Sequence, residues 1–306
     1  MVKYTGGEWG LTEHIRRLAG VRRGSGVALG IGDDCAVVRP RGAAEDLLLT
    51  TDLLIEGVHF RRDTHKPEDA GWKALARGLS DIAAMGGEPR FCLVSLAAAE
   101  WTDARWIEGF YRGLLALARR EGALPAGGDL ARAAQFACDI VVAGAVPRGA
   151  AMRRDGARAG DAIYVSGDLG GSALGLATGR GSAWRRHVRP YPRVALGRYL
   201  RERLRATAAM DLSDGLSLDL HRLCLASGLS AEIEEPPRFR GATSEMALHG
   251  GEDYELLFTV GSRTPVPRVA RNALLTRIGT MRKGLVGTVM LNGAPLAPLG
   301  WDHFRR

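Results

Sequence analysis

Two Leu-Ser-Asp triplets, Leu79-Ser80-Asp81 and Leu212-Ser213-Asp214, accompany acids set in glycine-rich turns: Gly32-Asp33-Asp34, Gly127-Gly128-Asp129 and Gly250-Gly251-Glu252-Asp253, with Thr50-Thr51-Asp52 beside them. Each cluster borders an apolar stretch, which predicts carboxylates gathered at the tips of strands and helices. Like charges brought so close repel unless a cation is shared between them. Hard oxygen ligands on short loops suit Mg²⁺, which binds few protein carboxylates and completes its shell with water and substrate phosphate oxygens. The chemistry predicted is that of an enzyme handling nucleotide phosphates.

Each motif has a plainer reading beside this one. Gly30-Ile31-Gly32-Asp33-Asp34 is also a good surface turn, since glycine and aspartate both favour turns. Asp211-Leu212-Ser213-Asp214-Gly215 is also a helix cap ahead of Leu216, Leu220 and Leu223, and a capped helix start is itself a place where phosphate binds. Gly170-Gly171-Ser172 resembles a phosphate loop but lacks the Gly-x-x-x-x-Gly-Lys-Ser/Thr pattern, and no Gly-x-Gly-x-x-Gly fingerprint stands nearby. His59 is either an incidental histidine or a substrate contact shortly after Asp52. Trp106 and Tyr111 lie on a helix where packing is the default, and Trp301 reads as a tail anchor or as a lid over a ring-bearing substrate.

The elements that position these residues alternate between strand and helix. Leu47 to Thr51 reads as a buried strand ending at Asp52. Pro67 opens a helix with Trp72, Leu75, Leu79 and Ile82 on one face, closed by Gly86-Gly87, which sets Asp81 late on an amphipathic helix. Phe91–Leu96 is strand-like, Asp103 caps a helix bearing Trp106, Ile107, Phe110, Leu114 and Leu117, and Ile140–Val146 forms another strand. The basic, small-residue stretch from Arg148 to Gly160 is the expected domain junction. Beyond it, strands are expected at Ala162–Ser166, Ala231–Ile233, Glu255–Val260 and Val286–Leu291, the last leading into an Asn292-Gly293 hairpin turn. The chain of 306 residues thus divides into two α/β or α+β domains, 1–148 and 149–306.

Composition narrows the classes. A formal charge of +8 admits nucleic acid, yet the arginines are scattered and no basic stripe with interleaved aromatics occurs; a mild positive field equally steers anionic metabolites. No apolar run approaches the roughly 20 residues that span a bilayer, and the first residues lack the apolar core of a signal peptide, so a cytoplasmic protein is expected without membrane or nucleic-acid partners. The widely spaced Cys35, Cys92, Cys138 and Cys224 read as buried thiols.

The wording and order of the motifs resemble the thiamine-monophosphate kinases: Leu29-Gly-Ile-Gly-Asp-Asp-Cys-Ala36, Leu79-Ser-Asp-Ile-Ala-Ala-Met-Gly86, Asp211-Leu-Ser-Asp-Gly215 and Gly250-Gly-Glu-Asp-Tyr-Glu-Leu256. The resemblance spans nearly the whole chain. It implies an aminoimidazole ribonucleotide synthetase-like fold whose N-terminal domain dimerises through its strands, and ATP- and Mg²⁺-dependent phosphorylation of thiamine monophosphate to thiamine diphosphate. Several Mg²⁺ ions, and K⁺ as an optional further cation, go with that activity. It further implies Asp33 or Asp34, Thr50, Thr51, Asp52, Asp81, Asp129, Asp211 and Asp214 as metal ligands, direct or through water, with Asp81, Asp129 and Asp214 closest to the chemistry. Tyr111, Gly128, Asp129, Arg154 and Ser213 would hold the nucleotide, and His59, Glu252 and Trp301 the thiamine phosphate.

The chain departs from the family where Leu130-Ala131-Arg132 replaces threonines, where Thr50-Thr51-Asp52 replaces Ser-Thr-Asp, and between Val260 and Val286, which reads as shortened, leaving the outer wall of the second domain in question. Two rivals share the superfamily, selenophosphate synthetase and the hydrogenase maturation dehydratase. The first needs a reactive cysteine near its N-terminus, and the first 34 residues contain none. A non-catalytic nucleotide sensor or nucleic-acid binder is the rival from another class.

Overall fold

In the computed structural model, residues 7–20 and 24–304 are described; the opening residues expected to carry no leader lie outside them up to residue 6. Helix α1 (Gly7–Ala19) precedes two short strands, β1 (Val27–Leu29) and β2 (Ala36–Val38), and the long β3 (Glu45–Ile55). Helix α2 (Pro67–Ala84), β4 (Glu88–Ala98), α3 (Ala104–Glu121), β5 (Leu124–Arg132) and β6 (Ala137–Pro147) complete the first half. Proline at its start sets the entry to α2, and the Asp103 carboxylate accepts the Trp106 N–H at 2.8 Å to cap α3.

The first sheet runs β1-β2-β3-β6-β4-β5. β3 and β6 pair antiparallel along their whole length, from Glu45 opposite Pro147 to Ile55 opposite Ala137. Alternation divides β3 cleanly: Leu48 and Leu54 turn into the core under α2, whereas Leu47 and Leu53 face outward. The same period puts Thr50 and Asp52 on the helix side and Thr51 on the other. β3 does not end at Asp52, because Leu53-Leu54-Ile55 keep pairing with β6, so the acid sits within the strand instead of at its tip. Nor is Gly127-Gly128-Asp129 a turn. It lies in β5, which runs parallel to β4 with Gly128 opposite Val94, and a side chain at Gly128 would stand 1.8 Å from the Val94 carbonyl oxygen.

After a 3₁₀ turn at Arg154–Gly156, the second half brings β7 (Ala162–Ser166), α4 (Gly171–Thr178), α5 (Gly181–Val188) and α6 (Val194–Tyr199), which continues into a π-helical turn. Then come β8 (Ala208–Asp211), α7 (Leu216–Ser227), β9 (Ser230–Ile233), α8 (Ser244–His249), β10 (Leu256–Val260), β11 (Val269–Ala270), β12 (Ala273–Arg282), β13 (Val289–Leu291) and β14 (Ala294–Pro295). The second sheet is ordered β14-β13-β9-β12-β7-β10-β8, with β11 on β12. The segment between Val260 and Val286 is therefore no thinned outer wall: it supplies β12, a central strand that hydrogen-bonds to β9 and β7. β13 and β14 close around Asn292-Gly293, both in the left-handed region that a tight hairpin turn requires.

The two sheets share a core. Leu75, Leu79 and Ile82 of α2 belong to the same buried cluster as Leu196, Leu200 and Phe258 from the second half. A second cluster lies between the second sheet and α7. All four cysteines are buried free thiols, and among the described residues no helix is long and apolar enough to cross a membrane.

α2 and α3 cross at backbone distance, which fixes where every α2 side chain points. A methyl group on Gly71 would meet the Phe110 carbonyl oxygen at 1.8 Å, and one on Gly113 the Glu68 carbonyl oxygen at 1.8 Å. Alanine favours helix over glycine, but here the backbone collision outweighs propensity. Gly113→Ala is expected to destabilise the fold by about 1–3 kcal/mol, read as a lower midpoint in thermal melting; an unchanged or raised midpoint would show that the crossing tolerates a wider spacing.

Candidate active site

Three carboxylates from distant parts of the chain converge. Asp34 from the β1–β2 connection, Asp81 from the last turn of α2 and Asp211 from the end of β8 each bring an oxygen within 4.8 Å of the others. Asp34 and Asp211 are buried and Asp81 half-buried. The Thr50 hydroxyl donates to Asp81 at 2.5 Å and the Ser80 hydroxyl to Asp211 at 2.6 Å, so two neighbours of the α2 terminus orient the acids. Burial, reinforced by neighbouring carboxylates, lifts both Asp81 and Asp211 well above the usual carboxylate range. One Asp34 oxygen is held by the Arg154 guanidinium, while the other, Oδ2, is buried without a hydrogen-bond partner among the described residues. A buried, unpartnered carboxylate oxygen facing two more carboxylates fits a divalent cation, which supplies the missing charge.

Asp33 turns the other way, accepting the backbone N–H groups of Asp34 at 2.9 Å and Arg154 at 3.1 Å. Burial and the Asp34 charge push it up to about 7. Asp52 is paired with Arg77 at 2.9 Å. Thr51 faces the opposite side of the sheet, where its hydroxyl donates to Asp139 at 2.5 Å.

Asp52, Asp81, Asp211 and Asp214 line one cleft of about 690 Å³, with His59, Ser213, Glu252 and Trp301 on its other walls. Backbone bonds hold the second-half loops together: the Glu252 N–H donates to the Ser213 carbonyl at 2.7 Å, and the Trp301 N–H to the Asp214 carbonyl at 2.9 Å. Glu252 and Tyr254 take φ of 64° and 51°, a left-handed backbone that side chains rarely adopt and that clusters at functional sites. The Glu252 carboxylate grips the fully buried Lys73 at 2.8 Å. Burial raises Glu252, but Lys73 and then His187 outweigh it and hold the carboxyl below its ordinary range.

Two expected devices are built differently. Helix α7 is not capped by Asp211, Ser213 or Asp214. Asp219, inside the helix, reaches back to accept the Asp214 and Gly215 N–H groups at 3.1 and 3.0 Å, which leaves the Asp211 and Ser213 side chains to the cleft and Asp214 to its ion pair with Arg222. The Gly170-Gly171-Ser172 loop already spends two amides on a carboxylate of the protein, Asp253, at 2.6 and 3.0 Å. Tyr111, Gly128 and Asp129 stand apart from the cleft, Tyr111 packed against the core on α3 and the other two exposed on the edge strand β5. Sequence reasoning did not single out Lys73, Arg77 or Arg222. The first two precede Asp81 at four-residue steps on α2, a charged stripe on an otherwise apolar helix, and that spacing is the signal that marks them.

The family model for AIR synthase related protein, N-terminal domain, matches residues 32–148. A thiamine-monophosphate kinase of Salmonella typhimurium is 37% identical, covering 91% of this chain and 92% of the relative. That of Aquifex aeolicus is 34% identical, covering 97% and 98%. A solved structure described as AaThiL complexed with AMPPCP and TMP superposes with a TM-score of 0.88 at 33% identity, covering 99% of each chain. The hydrogenase maturation protein HypE shares the fold, with a TM-score of 0.71 at 18% identity.

The crowded acids make a pH signature. Groups raised above their unfolded values stabilise the fold while protonated, and that contribution is lost as pH rises through the raised values. With EDTA, the melting midpoint is expected to fall as pH rises above about 7, the value to which Asp33 is lifted, a range above the ordinary values of carboxylates and of histidine. Asp81→Asn should flatten that fall and leave metal-free stability unchanged or higher. A pH-independent midpoint, or a fall that Asp81→Asn does not alter, would contradict the repulsion described here.

Proposed function

The chain belongs to the thiamine-monophosphate kinase family, and on that premise we propose that its acid-lined cleft transfers the γ-phosphoryl group of ATP to the phosphate of thiamine monophosphate, giving thiamine diphosphate and ADP. The observation that carries this reading is that Asp81 and Asp211, clustered with Asp34, line one cleft with Glu252, His59 and Trp301. The bond to the bridging oxygen of ADP breaks as an acceptor phosphate oxygen bonds to phosphorus. The second ionisation of a phosphate monoester lies near pH 6, so the acceptor arrives largely ionised and needs no general base. His59 is suited to binding instead: burial lowers it to about 3 and its Nδ1 already accepts the Ile55 N–H at 3.0 Å.

What opposes the reaction is repulsion between two anions, and Mg²⁺ bound here would neutralise charge on the transferred group and its oxygens. Asp34, Asp81 and Asp211 would hold it, with Thr50, Asp52 and Asp214 as further ligands, direct or through water, whereas Asp33, Thr51 and Asp129, also expected as ligands, are directed elsewhere in this chain. Thr50 and Ser80 keep two of the carboxylates aimed. Arg154 positions Asp34, Lys73 positions Glu252, and Ser213 supports the nucleotide. Residues 1–148 then form the N-terminal ATP- and Mg²⁺-binding and dimerisation domain, and 149–306 the C-terminal α/β domain, which adds Asp211, Ser213, Asp214 and Glu252 to the cleft.

Tyr111, Gly128 and Asp129, read as nucleotide contacts, do not line the cleft, and the outer face of the first sheet supports a homodimer that uses it. Leu47 and Leu53 on β3, Phe91 and Leu93 on β4 and Leu124 on β5 are each exposed there. An apolar patch of that extent on a sheet face marks an interface. Leu93→Asp is expected to shift the protein from dimer to monomer in sedimentation; a monomer before substitution would remove this assignment.

A coupled ADP-release assay tests the activity. Thiamine monophosphate should be turned over and free thiamine should not, because the acids act on an acceptor phosphate. Trp301→Ala should raise KM for the acceptor about tenfold with little change in kcat, since stacking on a cationic ring acts alike on ground and transition states. Brisk turnover of free thiamine, or an unmoved KM, would overturn the assignment of this wall.

A further inference from the structure

The two ends of the chain meet at the mouth of the cleft. Glu8, in the first turn of α1, lines it together with Leu299, Gly300, Trp301, Asp302 and His303 of the C-terminal tail. Helix α1 adds little to the core: among its residues Gly7 alone is buried, whereas Ile15 and Leu18 are exposed.

The start of α1 is tied to the tail. The Asp302 carboxylate accepts the Glu8 N–H with both oxygens, at 3.1 and 3.2 Å, from 294 positions away in sequence. That N–H is one of the helix-start donors that find no partner inside the helix, and a carboxylate there also answers the positive end of the helix. Asp302 Oδ1 accepts the Phe304 N–H as well, at 2.8 Å, which folds the tail around the acid. Gly7 fits this contact closely. Its φ is 63°, and a Cβ there would stand 2.2 Å from Asp302 Oδ2. A side chain at position 7 would push the carboxylate off the helix, and since what yields is the end of a side chain, the displacement need not reach the core.

The tie fixes what stands on either side of it. The Trp301 N–H donates to the Asp214 carbonyl at 2.9 Å, and Gly300 runs so near that a Cβ on it would lie 2.4 Å from the same oxygen. The His303 ring meets Trp301 edge to face at 5.6 Å and His59 at 5.4 Å between centroids. Trp301 is itself 56% exposed, so core packing does not hold its ring in place and the backbone on both sides must. Resting on the kinase reading, we propose that Asp302 is a positioning residue for the acceptor: by tying the tail to the start of α1 it holds Trp301 in the wall of the cleft. If Asp302 only capped α1, its loss would lower the melting midpoint and leave the acceptor KM where it was.

The test is a double-substitution cycle with thiamine monophosphate and ATP. Asp302→Ala should raise KM for thiamine monophosphate about five- to tenfold, with kcat and the KM for ATP nearly unchanged. Gly7→Ala, which displaces the same carboxylate, should act alike. Asp302→Asn, which keeps a carbonyl oxygen for the Glu8 N–H, should recover most of the loss. Trp301→Ala alone is expected to raise KM about tenfold, so adding it to Asp302→Ala should bring little further change, whereas independent residues would multiply to about fiftyfold or more. Multiplying effects, an unmoved acceptor KM in Asp302→Ala, or an asparagine variant no better than alanine would overturn the tie while leaving the kinase reading in place. No turnover of thiamine monophosphate by unaltered protein would overturn the kinase reading. The tie is then judged by amide hydrogen exchange, which Asp302→Ala should speed at Glu8 and Trp301 together, and unchanged exchange at Trp301 would overturn it.

Discussion

Three carboxylates packed together away from water cannot all be ionised without a counter-charge. Asp34, Asp81 and Asp211 are placed in that condition by the fold, and much else in the molecule accommodates it. Thr50 and Ser80 spend their hydroxyls on the acids, Arg154 spends its guanidinium on Asp34, and Arg77 partners Asp52 beside them. Local cations thus offset only part of the negative charge. The remainder is charge that a divalent ion bound between them would offset.

Helix α2 is the beam on which this arrangement rests. One of its faces is apolar and buried between both halves, through Leu75, Leu79 and Ile82. The other carries Lys73, Arg77, Ser80 and Asp81, which reach respectively Glu252, Asp52, Asp211 and the acid centre. A single rigid element therefore registers the first sheet against loops of the second half. The glycine contacts with α3 set its depth, and a shift of a few tenths of an ångström there would misalign every one of these pairs. Catalytic geometry of this kind tolerates little displacement.

The acceptor side is organised by a different device. His59 and His65 each accept a backbone N–H from four residues earlier, Ile55 and Arg61, which fixes the tautomer and puts the ring hydrogen on Nε2. Glu252 keeps its charge because Lys73 and His187 compensate its burial. An acidic wall paired with Lys73 thus lies between the carboxylate cluster and an aromatic recess lined by Phe60, Trp184 and His187.

The residue types and their local spacing were enough to establish the acidic motifs, the amphipathic α2 and α3, most strands, the Asn292-Gly293 turn and the family resemblance, because these depend on neighbours close in sequence. The sequence was less informative where pairing partners are distant. Thr51-Asp52 and Gly127-Gly128-Asp129 look like turns in isolation and are strand because β6 and β4 hydrogen-bond along them. Asp211 and Asp214 look like caps, yet Asp219 does that work. His65, Trp184 and His187 carry no motif at all, since what unites them is a cavity walled by α4, α5 and the loop after β3. Local propensity and periodicity act over a few residues and are written in the chain; which carboxylates share a space, which imidazole nitrogen lacks a partner, and which face of a strand is outward are set only when segments more than a hundred residues apart are packed together.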